Sequence, residues 1–256
     1  GGQVRWIGLD TDKAQRQELA GSDIGLVLQN PVTALNPLLS VGAQLLEAVQ
    51  STRKLRASEA TEIVIRLMEE VRLDSPENIY HRYPFQLSGG QCQRIMIALA
   101  LAGSPKLLIA DEPTTSLDVS VQREIMSMLT AVKKNRKMAI LLVSHDKQLV
   151  NDFADKKVLI TKSKIYSERG IGLKKEQQPA RKVLSNNYNV LEVSDLCASY
   201  NKRPVLDEIS FSVRSGEFKV IVGNSGCGKT TIARLVCGFK DVDSGIIKIN
   251  GNKMDR

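Results

Sequence analysis

The residues best suited to chemistry stand late in the chain. Gly223-Asn224-Ser225-Gly226-Cys227-Gly228-Lys229-Thr230 fits the pattern GxxxxGK[ST] in full. Glycines at these spacings permit the backbone angles that turn successive N–H groups toward a phosphate, and a following helix adds positive potential at its N-terminus. Lys229 would then reach the β- and γ-phosphates of a nucleotide, and the Thr230 hydroxyl would ligate Mg2+. A second pattern, Leu107-Leu108-Ile109-Ala110-Asp111-Glu112, carries two acids at the end of an apolar run. That places Asp111 at the carboxyl end of a buried strand, where α/β sheets present their ligands. Asp111 can hold Mg2+ through water, and Glu112 can orient or deprotonate an attacking water. Many strands end in acids, so this pattern gains its weight from the phosphate loop.

Two further patterns are weaker. In Leu87-Ser88-Gly89-Gly90-Gln91, Ser88 suits a helix N-cap and the glycine N–H groups can bind an anion. The plain alternative is a capped helix and nothing more. His145 follows an apolar strand within Ser144-His145-Asp146, a place where a lone histidine is more often structural.

These residues need elements to position them. Residues 23–29 read as a strand ending at the Asn30-Pro31 breaker. Ala60, Ile63, Val64, Leu67, Met68 and Val71 form one stripe of an amphipathic helix. Residues 88–102 are apolar nearly all round, as in a buried helix. Apolar runs at 107–110 and 138–143 flank a helix with its stripe at Val121, Ile125, Met128, Leu129 and Val132. Buried strands alternating with helices imply an α/β core with a parallel sheet covered on both faces. Residues 170–188 are polar and weakly periodic and read as a linker. Residues 189–213 alternate like antiparallel strands, and Phe218–Val222 forms an apolar strand running into the phosphate loop.

Composition narrows the function further. The chain has 256 residues, with 42% hydrophobic and 25% charged, ordinary values for a protein that buries a core. It shows neither a membrane-spanning apolar run nor a secretion signal. Cys92, Cys197, Cys227 and Cys237 are scattered, which argues against a zinc site or a disulfide framework and fits a reducing cytosol. Cys227, inside the phosphate loop, offers a target for thiol reagents or is simply a small tolerated residue. The net charge of +8 is spread out; its densest run, Lys133, Lys134, Arg136 and Lys137, reads as a solvated helix end. With one Trp, five Tyr and five Phe there is no stacking platform for single strands, so no nucleic-acid partner is expected.

Together the motifs resemble the nucleotide-binding subunit of an ABC transporter. The resemblance rests on LSGGQ (87–91) followed by Gln93-Arg94, LLIADEP (107–113), Ser116-Leu117-Asp118, His145 and the loop at 223–230. QNPVTALNPLLSVGAQLLE (29–47) and YPFQLSGGQCQRIMIALAL (83–101) are similar to ATPase subunits of bacterial oligopeptide, dipeptide, nickel and opine importers. The resemblance implies a P-loop NTPase fold with a parallel core sheet, a helical signature subdomain and an antiparallel β subdomain. It implies an ATPase, with ATP and Mg2+ as cofactors and hydrolysis coupled to import of peptides or similar small solutes.

Carried over by residue, Gly223, Asn224, Ser225, Gly226, Cys227, Gly228, Lys229, Thr230 and Thr231 would hold ATP. Thr230, Asp111 and Gln29 would attend Mg2+, with Gln29 also facing the membrane subunits. Glu112 would be the catalytic glutamate and His145 the switch histidine. Ser88, Gly89, Gly90 and Gln91 would close on the γ-phosphate bound by an opposite domain, with Asp118 at the dimer contact. Tyr200, 29 residues before Lys229, matches the aromatic that stacks on adenine, or else it is an ordinary half-buried strand tyrosine. The implied partners are a second ATPase domain in a head-to-tail dimer, integral membrane permease subunits and, indirectly, a periplasmic or lipid-anchored solute-binding protein. The implied location is peripheral, on the cytoplasmic face of the membrane.

One departure matters. In that family the phosphate loop comes first, whereas here it comes last. Residues 1–8 (GGQVRWIG) resemble residues 244–251 (SGIIKING) at an offset of 243 residues. The chain therefore reads as one repeat period of a tandem protein, with both ends cut. Residues 1–169 would be the C-terminal part of a first ATPase domain, 170–188 a linker, and 189–256 the N-terminal part of a second. Either the two parts dock into one permuted domain, which we expect because the missing strands are complementary, or each stays incomplete with exposed core. Two other functions fit the motifs: a fragment that binds nucleotide without hydrolysis, or a soluble ABC protein of DNA repair or translation. The stretch 29–47 speaks against the last.

Overall fold

Strands whose every residue is apolar can be buried only between two layers, and β-rich runs of this kind organise the fold. The structure, a computed structural model, describes residues 3–6, 9–10, 23–52, 55–115, 117–146, 152–161, 164–167, 188–200, 203–224 and 226–249. Ser116, Ser225 and residues 170–187 of the expected linker lie outside the described residues. The chain runs through β1 (Gln3–Trp6), β2 (Leu9–Asp10), β3 (Ile24–Val27), α1 (Pro31–Ala34), α2 (Val41–Thr52), α3 (Ala57–Glu70) and α4 (Pro76–Tyr80). A 3-10 turn (Pro84–Gln86) leads to α5 (Gly89–Leu101), β4 (Leu107–Asp111), α6 (Val119–Arg136), β5 (Ala139–Ser144), β6 (Lys156–Thr161) and β7 (Lys164–Ser167). The later part holds β8 (Asn189–Tyr200), β9 (Arg203–Arg214), β10 (Phe218–Gly223), α7 (Lys229–Val236) and β11 (Ser244–Ile249).

The larger sheet has the order β3-β4-β5-β10-β6-β7. All neighbours from β3 to β6 pair in parallel, and β7 closes one edge as an antiparallel hairpin with β6. β10, from the later part of the chain, lies between β5 and β6, with Phe218 opposite Ile140 and Lys219 opposite Lys156. β4, β5 and β10 are buried at every residue. The two parts of the chain thus share the larger sheet and both hydrophobic clusters on its faces, as the docking alternative requires.

Polar ties seal the same junction. Asp155 Oδ2 accepts from Phe218 N at 2.8 Å and from Lys133 Nζ at 2.6 Å, joining α6 to β10. The buried Glu217 carboxylate accepts from Arg214 N at 2.7 Å and pairs with Lys156 at 3.5 Å and Lys219 at 3.6 Å. Burial pushes the Lys219 ammonium below its ordinary range, and Glu217 partly offsets this. The basic run is accordingly only half a solvated helix end. Lys134 and Lys137 are exposed, whereas Arg136 pairs with Glu70 and donates to Leu101 O at 3.0 Å.

The smaller sheet has the order β2-β1-β11-β8-β9. β8 and β9 are antiparallel as expected, β11 joins β8 in the same sense, and β1 extends them in parallel beside β11. The register sets Gln3 opposite Ile246 and Trp6 opposite Ile249, the offset at which the two sequences resemble each other. One face of the larger sheet packs against α2, α3, α5 and α6, and its other face against the smaller sheet and α7. The predicted stripe of α3 is buried at Ala60, Val64, Leu67 and Met68. α5 runs against β3 so closely that a Cβ on Gly25 would come 2.3 Å from Ala100 O.

A candidate nucleotide site at the carboxyl edge of the sheet

β3, β4, β5 and β10 all point the same way, so their carboxyl ends form one edge of the sheet. Gln29 follows β3, Asp111 ends β4, His145 follows β5 and the phosphate loop follows β10. Topology alone therefore gathers four of the sequence motifs.

The loop is tight below and open above. A Cβ on Gly223 would meet Cys227 Sγ and Ile160 O, each at 2.5 Å. At Gly228, with φ +100°, it would lie 2.5 Å from Leu206 Cδ2. Gly226 has φ +78° and nothing within 4 Å of its missing side chain, so this turn faces open space as a ligand cradle needs. Lys229 is buried and donates to Gly223 O and Asn224 O, each at 3.0 Å, and its ammonium stands 3.7 Å from Glu112 Oε1. Thr231, also buried, continues α7 into the core. Cys227 packs its sulfur over Gly223, the role of a small filler.

Thr230 Oγ1 donates to Asp111 Oδ1 at 3.1 Å, joining residues from the two parts of the chain. Asp111 is 4% exposed, and burial holds its carboxyl above the ordinary range, opposed by the Thr230 hydrogen bond. Arg234 and Lys229 also favour its charged form, Glu112 opposes it, and burial still prevails, so a cation placed against these two oxygens fits the site. Among the described residues no group of three or more His, Cys, Asp or Glu gathers as a resident metal centre. The cation that fits takes few protein ligands and fills its shell with phosphate oxygens and water, the habit of Mg2+. An open cleft of about 240 Å³ adjoins, lined by Gln29, Asn30, Asp111, Thr230 and Arg234 among others.

Glu112 is the point of convergence. Gln29 Nε2 donates to its Oε2 at 3.3 Å, and His145 Nδ1 stands 3.3 Å from the same oxygen. Thr115 Oγ1 adds a third contact at 3.1 Å. The residue itself sits at φ +47°, a left-handed conformation costing about 1–2 kcal/mol for a side chain with a Cβ. Its N–H donates to Val143 O at 2.9 Å, which holds the backbone there. Thr115 and Arg234 lie outside the sequence motifs. Arg234 was legible in principle, one helical turn beyond Thr230; Thr115 had no periodic signal to mark it.

The remaining motif residues have local roles in the structure. Ser88 caps α5, as predicted, by accepting from Gln91 N at 3.2 Å while Gln91 Oε1 accepts from Ser88 N at 3.0 Å. Gly89 is exposed, with Leu117 Cδ2 3.5 Å from where its Cβ would be, and Gly90 approaches Val121. Asp118 caps α6, accepting from Val121 N at 3.0 Å and Ser120 Oγ at 2.7 Å, and these bonds hold its carboxyl below the usual range. Tyr200 ends β8, 42% exposed, with the Lys240 ammonium 4.4 Å from its ring centroid.

A parallel sheet that sets a glycine-rich phosphate loop against an acidic strand end defines a nucleotide-binding cassette of the P-loop class. The chain belongs to the ABC transporter family, whose sequence pattern matches residues 1–115 and 206–256. It is similar to the peptidoglycan transport ATP-binding protein YejF of Agrobacterium fabrum, 34% identical over 261 residues that cover 92% of this chain and 48% of that protein. It is also similar to a peptide import ATP-binding protein of Brucella melitensis, 42% identical over 163 residues covering 62% of this chain and 49% of the relative. The glutathione import ATP-binding protein GsiA of Escherichia coli is 28% identical over 298 residues, covering 96% and 48% of the two chains. The chain spans about half the length of these curated relatives.

Proposed function

We infer that the chain binds and hydrolyses ATP with Mg2+ to energise an importer of peptides or similar small solutes. The observation that carries this is the meeting of Lys229 and Thr230 with Glu112 and Asp111 across the two parts of the chain. Mg2+, when bound, neutralises charge on the transferring phosphate. The chain's own residues do the rest. The loop N–H groups and Lys229 bind the phosphates, and Asp111 and Thr230 attend the cation, with Gln29 lining the same cleft. Glu112 orients and deprotonates the attacking water, held by Gln29, Thr115 and His145. Ser88, Gly89, Gly90 and Gln91 act on the γ-phosphate of a second cassette in a head-to-tail dimer, with Asp118 at that contact. The partial exposure of Tyr200 supports its reading as the base platform.

Surface chemistry supports permease docking beside Gln29. Leu38 is 82% exposed and Phe85 75%, and Val41 N donates to Arg82 O at 2.9 Å, which brings the two stretches together. An apolar patch there suits a helical segment of a membrane subunit. No helix among the described residues is long and apolar enough to cross a membrane. The chain would sit peripherally at the cytoplasmic face, acting on a solute-binding protein only through the permease. The names of the peptide, glutathione and peptidoglycan relatives support the solute class.

The reading of residues 1–169 and 189–256 as parts of two successive cassettes, joined by a 170–188 linker, rests on two supports. One alignment runs through 92% of this chain within 48% of a relative. The similar strands β1 and β11 also lie side by side in one sheet. The test of function is Mg-ATP binding and phosphate release by the purified chain. Lys229→Ala should remove binding, and Glu112→Gln should keep binding while abolishing release. Undiminished release by Glu112→Gln would sink the assignment of the base. Binding without any release by the native chain would instead favour a nucleotide-binding module.

A further inference from the structure

We propose that Lys240 is a positioning residue for the adenine base, acting through the ring of Tyr200. The inference rests on the reading of Tyr200 as the base platform and adds a residue that no sequence motif contains. The Lys240 ammonium lies 4.4 Å from the Tyr200 ring centroid, within cation–π range. Tyr200 keeps 42% of its surface exposed, which leaves room for a base to stack on the ring that the cation contacts. Neither backbone is loose. Tyr200 ends β8 opposite Arg203, and β8 is held on its other side by β11. The segment after α7 is pinned by Gly238 N to Leu235 O at 3.1 Å and Phe239 N to Arg234 O at 2.9 Å, a glycine-terminated helix end with Gly238 at φ +75°. Asp243 N then donates to Cys197 O at 3.1 Å, tying the far side of Lys240 back to β8.

One helix thus serves both ends of a nucleotide. The N-terminus of α7 carries Lys229 and Thr230 for the phosphates, and the segment after its other end, about 12 Å along the axis, brings Lys240 to the Tyr200 ring. A cation held over one face restricts the ring and draws its electron density away from the opposite face. An electron-rich purine stacks better on such a ring. The effect depends on the base and is indifferent to the phosphates.

Calorimetric titration of the full chain with Mg-ATP and, separately, with Mg-tripolyphosphate tests this, because the second ligand lacks a base. Tyr200→Ala should weaken Mg-ATP binding about 5- to 150-fold, the range of base–aromatic stacking, and leave tripolyphosphate unchanged. Lys240→Met should weaken Mg-ATP about 2- to 5-fold, again with tripolyphosphate unchanged, and Lys240→Arg should restore it. If Lys240→Met binds Mg-ATP as well as or better than the native chain, the lysine is incidental or obstructs the base, and the proposal falls while the Tyr200 reading stands. Equal loss for both ligands would mean that Lys240 contributes only bulk charge, which also overturns the proposal. If Tyr200→Ala leaves Mg-ATP affinity intact, or the native chain binds no Mg-ATP, the underlying reading fails and takes the proposal with it.

Discussion

Replacing Asp111 with Asn should make the empty protein more stable and the ATP-loaded protein less stable than the native chain. Asp111 is 4% exposed, and its Oδ1 accepts one neutral hydrogen bond, from Thr230. Asn keeps the volume and an acceptor for that hydroxyl while deleting the buried charge, a change worth about 1 kcal/mol of folding stability or about 2–4 °C. The sign follows from the shift. Burial raises the folded-state pKa above the ordinary 3.8, so the folded protein binds the proton more tightly than the unfolded chain. That advantage is present below pH 3.8 and disappears as pH rises through the folded pKa, leaving the native protein with the full cost at neutral pH. Binding reverses the order. At about 100 times the dissociation constant, Mg-ATP adds about 2.7 kcal/mol to the native protein. Loss of a water-mediated metal contact weakens affinity about 10- to 100-fold. The variant then gains only about 0.4–1.4 kcal/mol at the same concentration. Thermal denaturation at pH 7 with and without Mg-ATP should therefore show the two melting curves exchanging rank. Equal Mg-ATP shifts in both proteins would place Asp111 outside the site. A lower melting point for the empty variant would refute the cost assigned to its burial.

Three other substitutions probe the scaffold. Gly42→Ala would set a Cβ 2.4 Å from the Tyr80 ring and should cost about 1–3 kcal/mol, read as a lower melting temperature; an unchanged one would mean that α2 can move off α4 freely. Ser88→Ala removes the α5 cap and should cost about 1 kcal/mol in urea denaturation, with Ser88→Asp recovering most of it. Asp155→Ala strands Lys133 and the Phe218 N–H and should cost about 1–3 kcal/mol, together with a loss of ATP affinity because β10 carries the phosphate loop. Stability lost with affinity unchanged would show that the junction does not position the loop.

Much of the site was legible because the chemistry demands particular residues next to particular strands. Asp111 and Lys229 announced themselves by apolar runs ending in acid or glycine, and β4 and β10 lie under those runs. β6 was not singled out. Its Lys156–Thr161 run begins with two lysines and buries only Val158 and Ile160, too short a pattern to tell from a loop. Yet β6 completes the bed on which β10 lies. The contacts at Glu112 were illegible for another reason. Thr115 reaches its carboxylate only because the chain after β4 turns back from a left-handed residue, which no periodicity records. Lys240 shows the same gap at larger scale, since two ordered backbones far apart in sequence must meet before the pair exists.

The permuted motif order does not disturb the site, and the sheet explains why. What an α/β site requires is that the contributing strands lie side by side and point the same way, so that their carboxyl ends converge. β10 satisfies both conditions between β5 and β6, although it follows them in the chain. Lys229 therefore stands 3.7 Å from Glu112 as if the connection had been made in the other order. The smaller sheet is another matter, because it holds two strands of similar sequence, β1 and β11. β11 lies beside β8, tied to it through Asp243 and five register pairs, and β1 takes the next position in parallel. That pairing of two similar strands is what the proposed tandem origin of the chain leads one to expect.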